Sequence, residues 1–418
     1  MKGTLGHALR CAAISLSIGL TSAPAYGQQA LAPQLEAGQP SQVPVAIQML
    51  RWRMNDADIN SLTFRNMDTL FTTRSVPRSG SVWRLERDDH PLDFTYRHDG
   101  QSYTAEQFLD RTFTDALLVM KDGVIVYENY RNNSDERTRF MGWSMTKSLV
   151  SILVGLALDQ GKIRSLDEPI DAYLPELKGG GYEGVTIRQV LQMRSGVDYE
   201  ERYDFANPGA AASNHIDALV KNVSRFADPA RTIERAHAPG EIFAYKTIDT
   251  AVLGWLLERV TGTTVSAFMA QTLWEPLGAE RDGYFIMDGS PEVGREFTGA
   301  GFNATLRDFA RVGLMMLNGG SANGRQIVPA EWVALSTQPT STQPASDSSR
   351  RERDGYGMQW WMFGDSAYSA VGLQGQYIYV DPATRTVVVK LSHFPPGDEA
   401  PSAETATFLA AASAWNPR

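Results

Sequence analysis

The sequence predicts an α+β protein in which one antiparallel sheet, assembled from segments far apart in the chain, is flanked by helices and carries an inserted, mostly helical domain. Three observations lead there. β-rich runs gather near residues 116–130 and again near 356–392, helical patterns fill the stretch between, and one helix beginning at Ser144 is apolar on every side. Strands at both ends of a chain with helices between them argue for a single sheet closed by distant segments. The boundaries that follow are 60–160 and 300–418 for the sheet-bearing domain and 161–299 for the helical one.

The 418 residues, 43% hydrophobic and 21% charged, have the composition of an ordinary globular protein of two or three structural units. Residues 1–27 combine a basic start (Lys2, Arg10), an apolar run from Cys11 to Leu20 and small residues at Ala23, Ala25 and Gly27. That is the pattern of a cleaved signal peptide, so a periplasmic or secreted protein is expected. Residues 28–59 read as a flexible leader, richest in Gln, Pro and Ala up to Pro44. No later segment is long and apolar enough to span a bilayer. Cys11, the one cysteine, leaves with the signal peptide, which excludes disulfides, a catalytic thiol and cysteine-ligated zinc. The formal charge of −9, two units more negative without Lys2 and Arg10, argues against nucleic acid as a partner.

Along the chain, Ala116 to Tyr130 holds two β-rich runs around Lys121-Asp122-Gly123, a hairpin signal. Ser144 to Gln160 then forms a helix that stops at Gly161; with no polar face beyond its first turn it belongs in the core. Thr186 caps IRQVLQM, Asp249 or Thr250 caps AVLGWLLERV ahead of Gly262, and Thr305 to Asp308 caps a helix ending before Gly319. Residues 336–353 are polar and loop-like. Strands return at Tyr356 to Phe363, Gln374 to Val380 and Thr386 to Ser392.

Ser144-Met145-Thr146-Lys147 places a hydroxyl and an amine at i and i+3 on one helical face, where the amine reaches the hydroxyl. A serine hydroxyl becomes a useful nucleophile only when a neighbouring base takes its proton. A lone Ser-x-x-Lys equally describes a helix cap followed by a solvated lysine; the buried helix behind it argues that Lys147 meets something polar inside the protein. Tyr245, in FAYKT ahead of a helix, supplies a phenol whose ionised form a nearby cation would favour, a competent general base; alone it would be one more packed aromatic. The histidines 90, 98, 215, 237 and 393 show no metal-binding spacing, and Gly142-Trp143-Ser144 lacks the second glycine of a nucleophile elbow, so neither a metal hydrolase nor a histidine triad is indicated. No cofactor and no metal are expected.

In order, SMTK, DAYLPEL, VTIRQVLQMRSGVDY, PGEIFAYKT, LGWLLERVTG, WEPLG, ATLRDFARVGLMMLNGG, YGMQWW and GQYIYVDP resemble the serine hydrolases related to class C β-lactamases, and within them the 6-aminohexanoate-dimer hydrolases and family VIII-type carboxylesterases. The similarity runs from about residue 60 to the C-terminus. It implies a β-lactamase/transpeptidase-like fold and an acyl-enzyme on Ser144, with Lys147 and Tyr245 moving protons. It also places the family's third motif at Leu373-Gln374-Gly375, with the backbone N–H groups of Ser144 and Gln376 as the oxyanion hole.

Leu373 in place of the motif's basic residue, and Thr247 in place of the usual Asn after Tyr-x, argue against efficient β-lactam hydrolysis. Trp143, Tyr203, Trp361 and Gly375 are the residues the resemblance offers for substrate binding, Tyr203 through a contact to a substrate amide. The expected substrate is a small carboxylic ester or a linear amide. The alternative is a penicillin-binding or β-lactamase-type protein acylated by β-lactams or D-Ala peptides, and deacylation separates the two: steady turnover of an ester marks the enzyme, one equivalent of stable adduct the binding protein. The oligomeric state is not legible.

Overall fold

The computed structural model describes residues 41–289, 293–340 and 355–417. The expected signal peptide, the first part of the expected leader and most of the polar stretch 336–353 lie outside the described residues.

The largest sheet has eight strands. From one edge to the other they are Gly355–Tyr356, Trp361–Phe363, Ala367–Gly372, Gln376–Asp381, Thr386–Ser392, Thr114–Lys121, Val124–Tyr130 and Glu86–Arg87. All neighbours are antiparallel except the last pair. Early and late segments thus meet at the join of Thr386–Ser392 with Thr114–Lys121. The hairpin expected at Asp122-Gly123 is present, both residues at positive φ (50° and 87°) as a tight turn between twisted strands requires.

Side chains alternate across this sheet and divide between two cores. Leu118, Met120, Ile378, Val380, Val387 and Val389 point to one face; Leu117, Val119, Tyr377, Tyr379 and Val388 point to the other. Against the first face lies Leu306–Leu317, whose Gly313 admits Val387 and Ile378, and beside it the Met145–Asp159 helix. The second face is covered by Ala105–Arg111 and Ala400–Ala414, joined by the stacked rings of Phe108 and Phe408 at 3.7 Å.

Four short strands form a second sheet in the order Thr73–Val76, Gly283–Ile286, Phe302–Thr305, Arg139–Met141. Its last strand delivers the chain to Ser144. The middle of the chain is mostly helical, with Thr247–Thr261 its longest helix, but its strand Gly283–Ile286 pairs with Thr73–Val76 from the start of the described chain.

Several expectations are corrected. Residues 45–53 of the expected leader form a helix whose Arg51 is buried and donates to the carbonyls of Leu70 and Leu219. The helix expected to start at Asp249 or Thr250 begins at Thr247, with Asp249 inside its first turn and bonded to the Tyr182 hydroxyl. The one capped by Thr186 ends at Leu191, because Met193 turns into the left-handed region (φ 55°). The strand expected from Tyr356 to Phe363 is two strands broken at Gln359 (φ 68°).

Candidate active site

Gly142 is held by a backbone bond to Phe302 O (2.9 Å). Trp143 then adopts a positive φ of 48°, costly for a bulky residue and tolerated because its ring is locked in the core against Phe64 at 5.2 Å. The kink presents Ser144 at the N-cap of the Met145–Asp159 helix. Ser144 makes no capping bond with its side chain, so its hydroxyl is committed to Lys147 instead.

Lys147 is 1% exposed. Its Nζ lies 3.0 Å from Ser144 Oγ, 3.1 Å from Thr247 Oγ1 and 2.7 Å from Gly299 O. The i, i+3 spacing therefore does bring amine and hydroxyl together, and the polar surroundings that burial of a lysine demands come from the Thr247–Thr261 helix and from residue 299. Tyr245 stands beside them: Lys147 Nζ is 4.9 Å from its ring centroid, and that ring stacks on Trp361 at 5.6 Å and 28°.

One residue the sequence did not single out fixes these elements to each other. Gln359 accepts through its carbonyl from Ser148 Oγ (2.6 Å), accepts through its side chain from Thr250 Oγ1 (2.8 Å) and donates to Leu191 O (2.7 Å). It ties the nucleophile helix, the Thr247–Thr261 helix and the Ile187–Leu191 helix into one frame. The side-chain amide, with one accepting and one donating end, makes the last two bonds, and nothing in the sequence around YGMQWW marks it.

The third motif is displaced. Trp361–Phe363 covers the neighbouring strand only as far as Ser369, so residues 370–373 have an open edge. Gly372 lies against the nucleophile turn: a Cβ there would be 2.3 Å from Gly142 O. Gly375, by contrast, packs under the Phe394 ring, and Gln376 opposes Gly372 across the hairpin in a strand with neighbours on both sides. Backbone N–H groups of an interior strand are directed at the adjoining strands. The expected roles of Gly375 and Gln376 are corrected accordingly; the wall facing Ser144 is Ala370-Val371-Gly372-Leu373. The Gln376 side chain serves the hairpin, donating to Leu373 O, Gln374 O and Ser392 O.

Trp143 also changes role, since its indole is 4% exposed in the core. Tyr203 is 41% exposed, and its hydroxyl donates to Glu201 Oε1 at 2.8 Å. Burial of that hydroxyl, reinforced by the Glu201 carboxylate, pushes it well above the usual phenol range. Among the described residues no group of three His, Cys, Asp or Glu side chains could hold a metal, and no helix is long and apolar enough to cross a membrane.

The β-lactamase family model matches residues 104–412. The chain belongs to the β-lactamase family. Within this family it is 35% identical over 303 residues to the 6-aminohexanoate-dimer hydrolase of Paenarthrobacter ureafaciens, covering 70% of this chain and 76% of that one. It is 28% identical over 204 residues to the esterase EstB of Burkholderia gladioli, covering 42% and 50%. Among solved structures, a candidate 6-aminohexanoate-dimer hydrolase from Bacillus anthracis superposes with a TM-score of 0.74 at 24% identity, covering 86% of this chain and 95% of that chain. This β-lactamase-family protein is a serine hydrolase with the α+β fold of that family.

Proposed function

We propose that the protein cleaves small carboxylic esters or linear amides through an acyl-enzyme on Ser144. The observation that carries this reading is the buried Lys147 amine at 3.0 Å from the Ser144 hydroxyl with Tyr245 beside it. Ser144 Oγ attacks the carbonyl and its proton passes to the Lys147–Tyr245 pair. That proton then goes to the departing alcohol or amine, and a water activated by the same pair releases the acid. The carbonyl oxygen, as it gains charge, is received by the backbone N–H groups of Ser144 and Leu373, the latter at the open strand edge in place of Gln376. Trp361 backs Tyr245 from within the core rather than lining an entrance, and the relatives named for an amide hydrolase and an esterase support both substrate classes.

No basic residue occupies the third motif in either register, neither Ala370-Val371-Gly372 nor Leu373-Gln374-Gly375, so the site has no cation there for a β-lactam carboxylate. Residues 1–27 are read as an export signal, which places the enzyme in the periplasm or outside the cell.

The test is a time course with p-nitrophenyl butyrate, a 6-aminohexanoate dimer and nitrocefin. Ser144→Ala is expected to abolish turnover and Tyr245→Phe to lower kcat at least about a hundredfold. Undiminished activity in Ser144→Ala would falsify the mechanism, and a single stable equivalent of acylated protein would favour a penicillin-binding protein.

A further inference from the structure

We infer that Glu201 is a positioning residue of this site, one that sets the direction of the hydrogen bonds around Lys147 by acting through Thr247. The inference rests on the Ser144–Lys147–Tyr245 reading above and extends it to a carboxylate bonded to Thr247, a partner of Lys147.

The chain of bonds is short. Glu201 Oε2 accepts the Thr247 backbone N–H at 2.9 Å, Glu201 Oε1 accepts the Thr247 hydroxyl, and the Thr247 Oγ1 atom lies 3.1 Å from Lys147 Nζ. A carboxylate can only accept. The single hydroxyl proton of Thr247 is therefore held toward Glu201, and toward Lys147 the threonine presents lone pairs. Gly299 O, the other partner at 2.7 Å, is likewise an acceptor only.

A neutral amine has two N–H donors and one lone pair. In the form of Lys147 that receives the serine proton, Thr247 and Gly299 take both donors and the lone pair faces Ser144 Oγ, 3.0 Å away. Without Glu201 the Thr247 hydroxyl is free to donate to Lys147, competing with Ser144 for that lone pair. Glu201 also receives the Tyr203 hydroxyl at 2.8 Å, so the same carboxylate fastens the Tyr203 loop to the proton-transfer groups.

The elements packed on this path carry other charged and titratable groups. The segment leading into the Thr247–Thr261 helix brings Tyr245 and Lys246, and the helix brings Asp249, bonded to Tyr182 and pushed up to about 6 by burial. Tyr199 precedes Glu201 and is bonded to Asn214. Strand Ala367–Gly372, which packs on the nucleophile helix, carries Tyr368 against Trp360. Gln376–Asp381 carries Tyr377, bonded to Ser402, with Tyr379 and Asp381, and helix Ala330–Ser336 carries the exposed Glu331. Glu201 is the carboxylate joined to Lys147 through a single hydroxyl.

The experiment compares Glu201→Gln, Thr247→Val, Thr247→Ser and the Glu201→Gln/Thr247→Val double variant with the full-length enzyme, using p-nitrophenyl butyrate from pH 5 to 10 with thermal unfolding as a fold control. Glu201→Gln is expected to lower kcat about tenfold or more with little change in KM. Removing a negative charge also makes the neighbouring proton-binding pair release its proton more readily, so the acid limb of kcat moves to lower pH by about half a unit or more. Thr247→Ser retains the hydroxyl and stays near wild type, and the double variant is no worse than Thr247→Val alone. A Glu201→Gln enzyme with wild-type kcat and limb, or losses that multiply in the double variant, would overturn the inference. So would a fall in kcat with an unmoved limb, which marks a merely structural role. Turnover that does not depend on Ser144 in any variant would instead refute the underlying reading.

Discussion

Lys147 is buried, and the oxygens within 3.1 Å of its amine surround it: Thr247 Oγ1 and Gly299 O accept its N–H groups and Ser144 Oγ lies at 3.0 Å. That fit is specific to a compact amine. Lys147→Arg substitutes a longer planar group that neither fits between Gly299 O and Thr247 nor gives up its proton. The variant is expected to retain its helical circular dichroism while kcat falls by about a thousandfold; activity within tenfold of wild type would remove Lys147 from the proton path. At this scale the sequence spoke clearly where the partners are close along the chain. Ser144 and Lys147 are three apart and one turn of helix explains them. Glu201 and Thr247 are 46 apart, and Gln359 lies 168 residues from Leu191 and 211 from Ser148. Such bonds depend on the packing of whole elements, which no local pattern of residue types records.

Elements were legible in proportion to how strongly their surroundings impose a pattern. The Asp122-Gly123 hairpin needs two left-handed residues, and the Met145–Asp159 helix is buried on all sides, so both leave plain traces. Ala367–Gly372 (AYSAVG) leaves none, because a strand buried on both faces does not alternate and its residues are small where the nucleophile turn presses on it. Missing it shifted the third motif along the chain to the adjoining turn. The Val45–Arg53 helix has no apolar stripe and the Ala400–Ala414 helix sets small alanines among Ser and Thr with only Phe408 and Leu409 as large apolar residues, so neither was expected.

The register correction has a direct test in two glycines three residues apart. A Cβ at Gly372 would meet Gly142 O, a backbone atom that cannot swing aside. Gly372→Ala is therefore expected to push the strand edge off the nucleophile turn and cost about a hundredfold in kcat, the scale of losing one oxyanion donor. A Cβ at Gly375 would meet the Phe394 ring at 2.5 Å from a backbone at φ 94°, far from the proton-transfer groups in the hydrogen-bond network. Gly375→Ala should lower stability by about 1–3 kcal/mol, read as a lower Tm, while the folded fraction keeps kcat within a few-fold. The reverse outcome would return the oxyanion role to Gln376.

Across the molecule, the Tyr203 loop is held to the rest of the protein by rings drawn from two places. Trp52 of the N-terminal helix meets Phe205 at 5.0 Å, and His215 meets Phe205 at 5.5 Å and Tyr203 at 5.9 Å. Burial among these rings lowers the His215 imidazole from 6.5 to about 4. The folded state therefore holds it neutral while the unfolded chain protonates it below its ordinary value. For a base whose folded pKa is depressed, the unfolded state binds more protons between the two values, so stability is intact above pH 6.5 and declines as pH falls toward 4. A shift of that size corresponds to about 3 kcal/mol at most. Asp288, raised to about 7 by burial, acts in the opposite sense, since its carboxyl is held protonated by the fold and its cost grows as pH rises. Because Asp288 is common to both proteins, comparing wild type with His215→Leu isolates the histidine. Urea unfolding at pH 7.5, 5.5 and 4.5 should show the variant gaining on wild type by about 2 to 3 kcal/mol between the first and last conditions. Two curves that stay parallel across that range would mean the imidazole is protonated in the fold and finds a partner there.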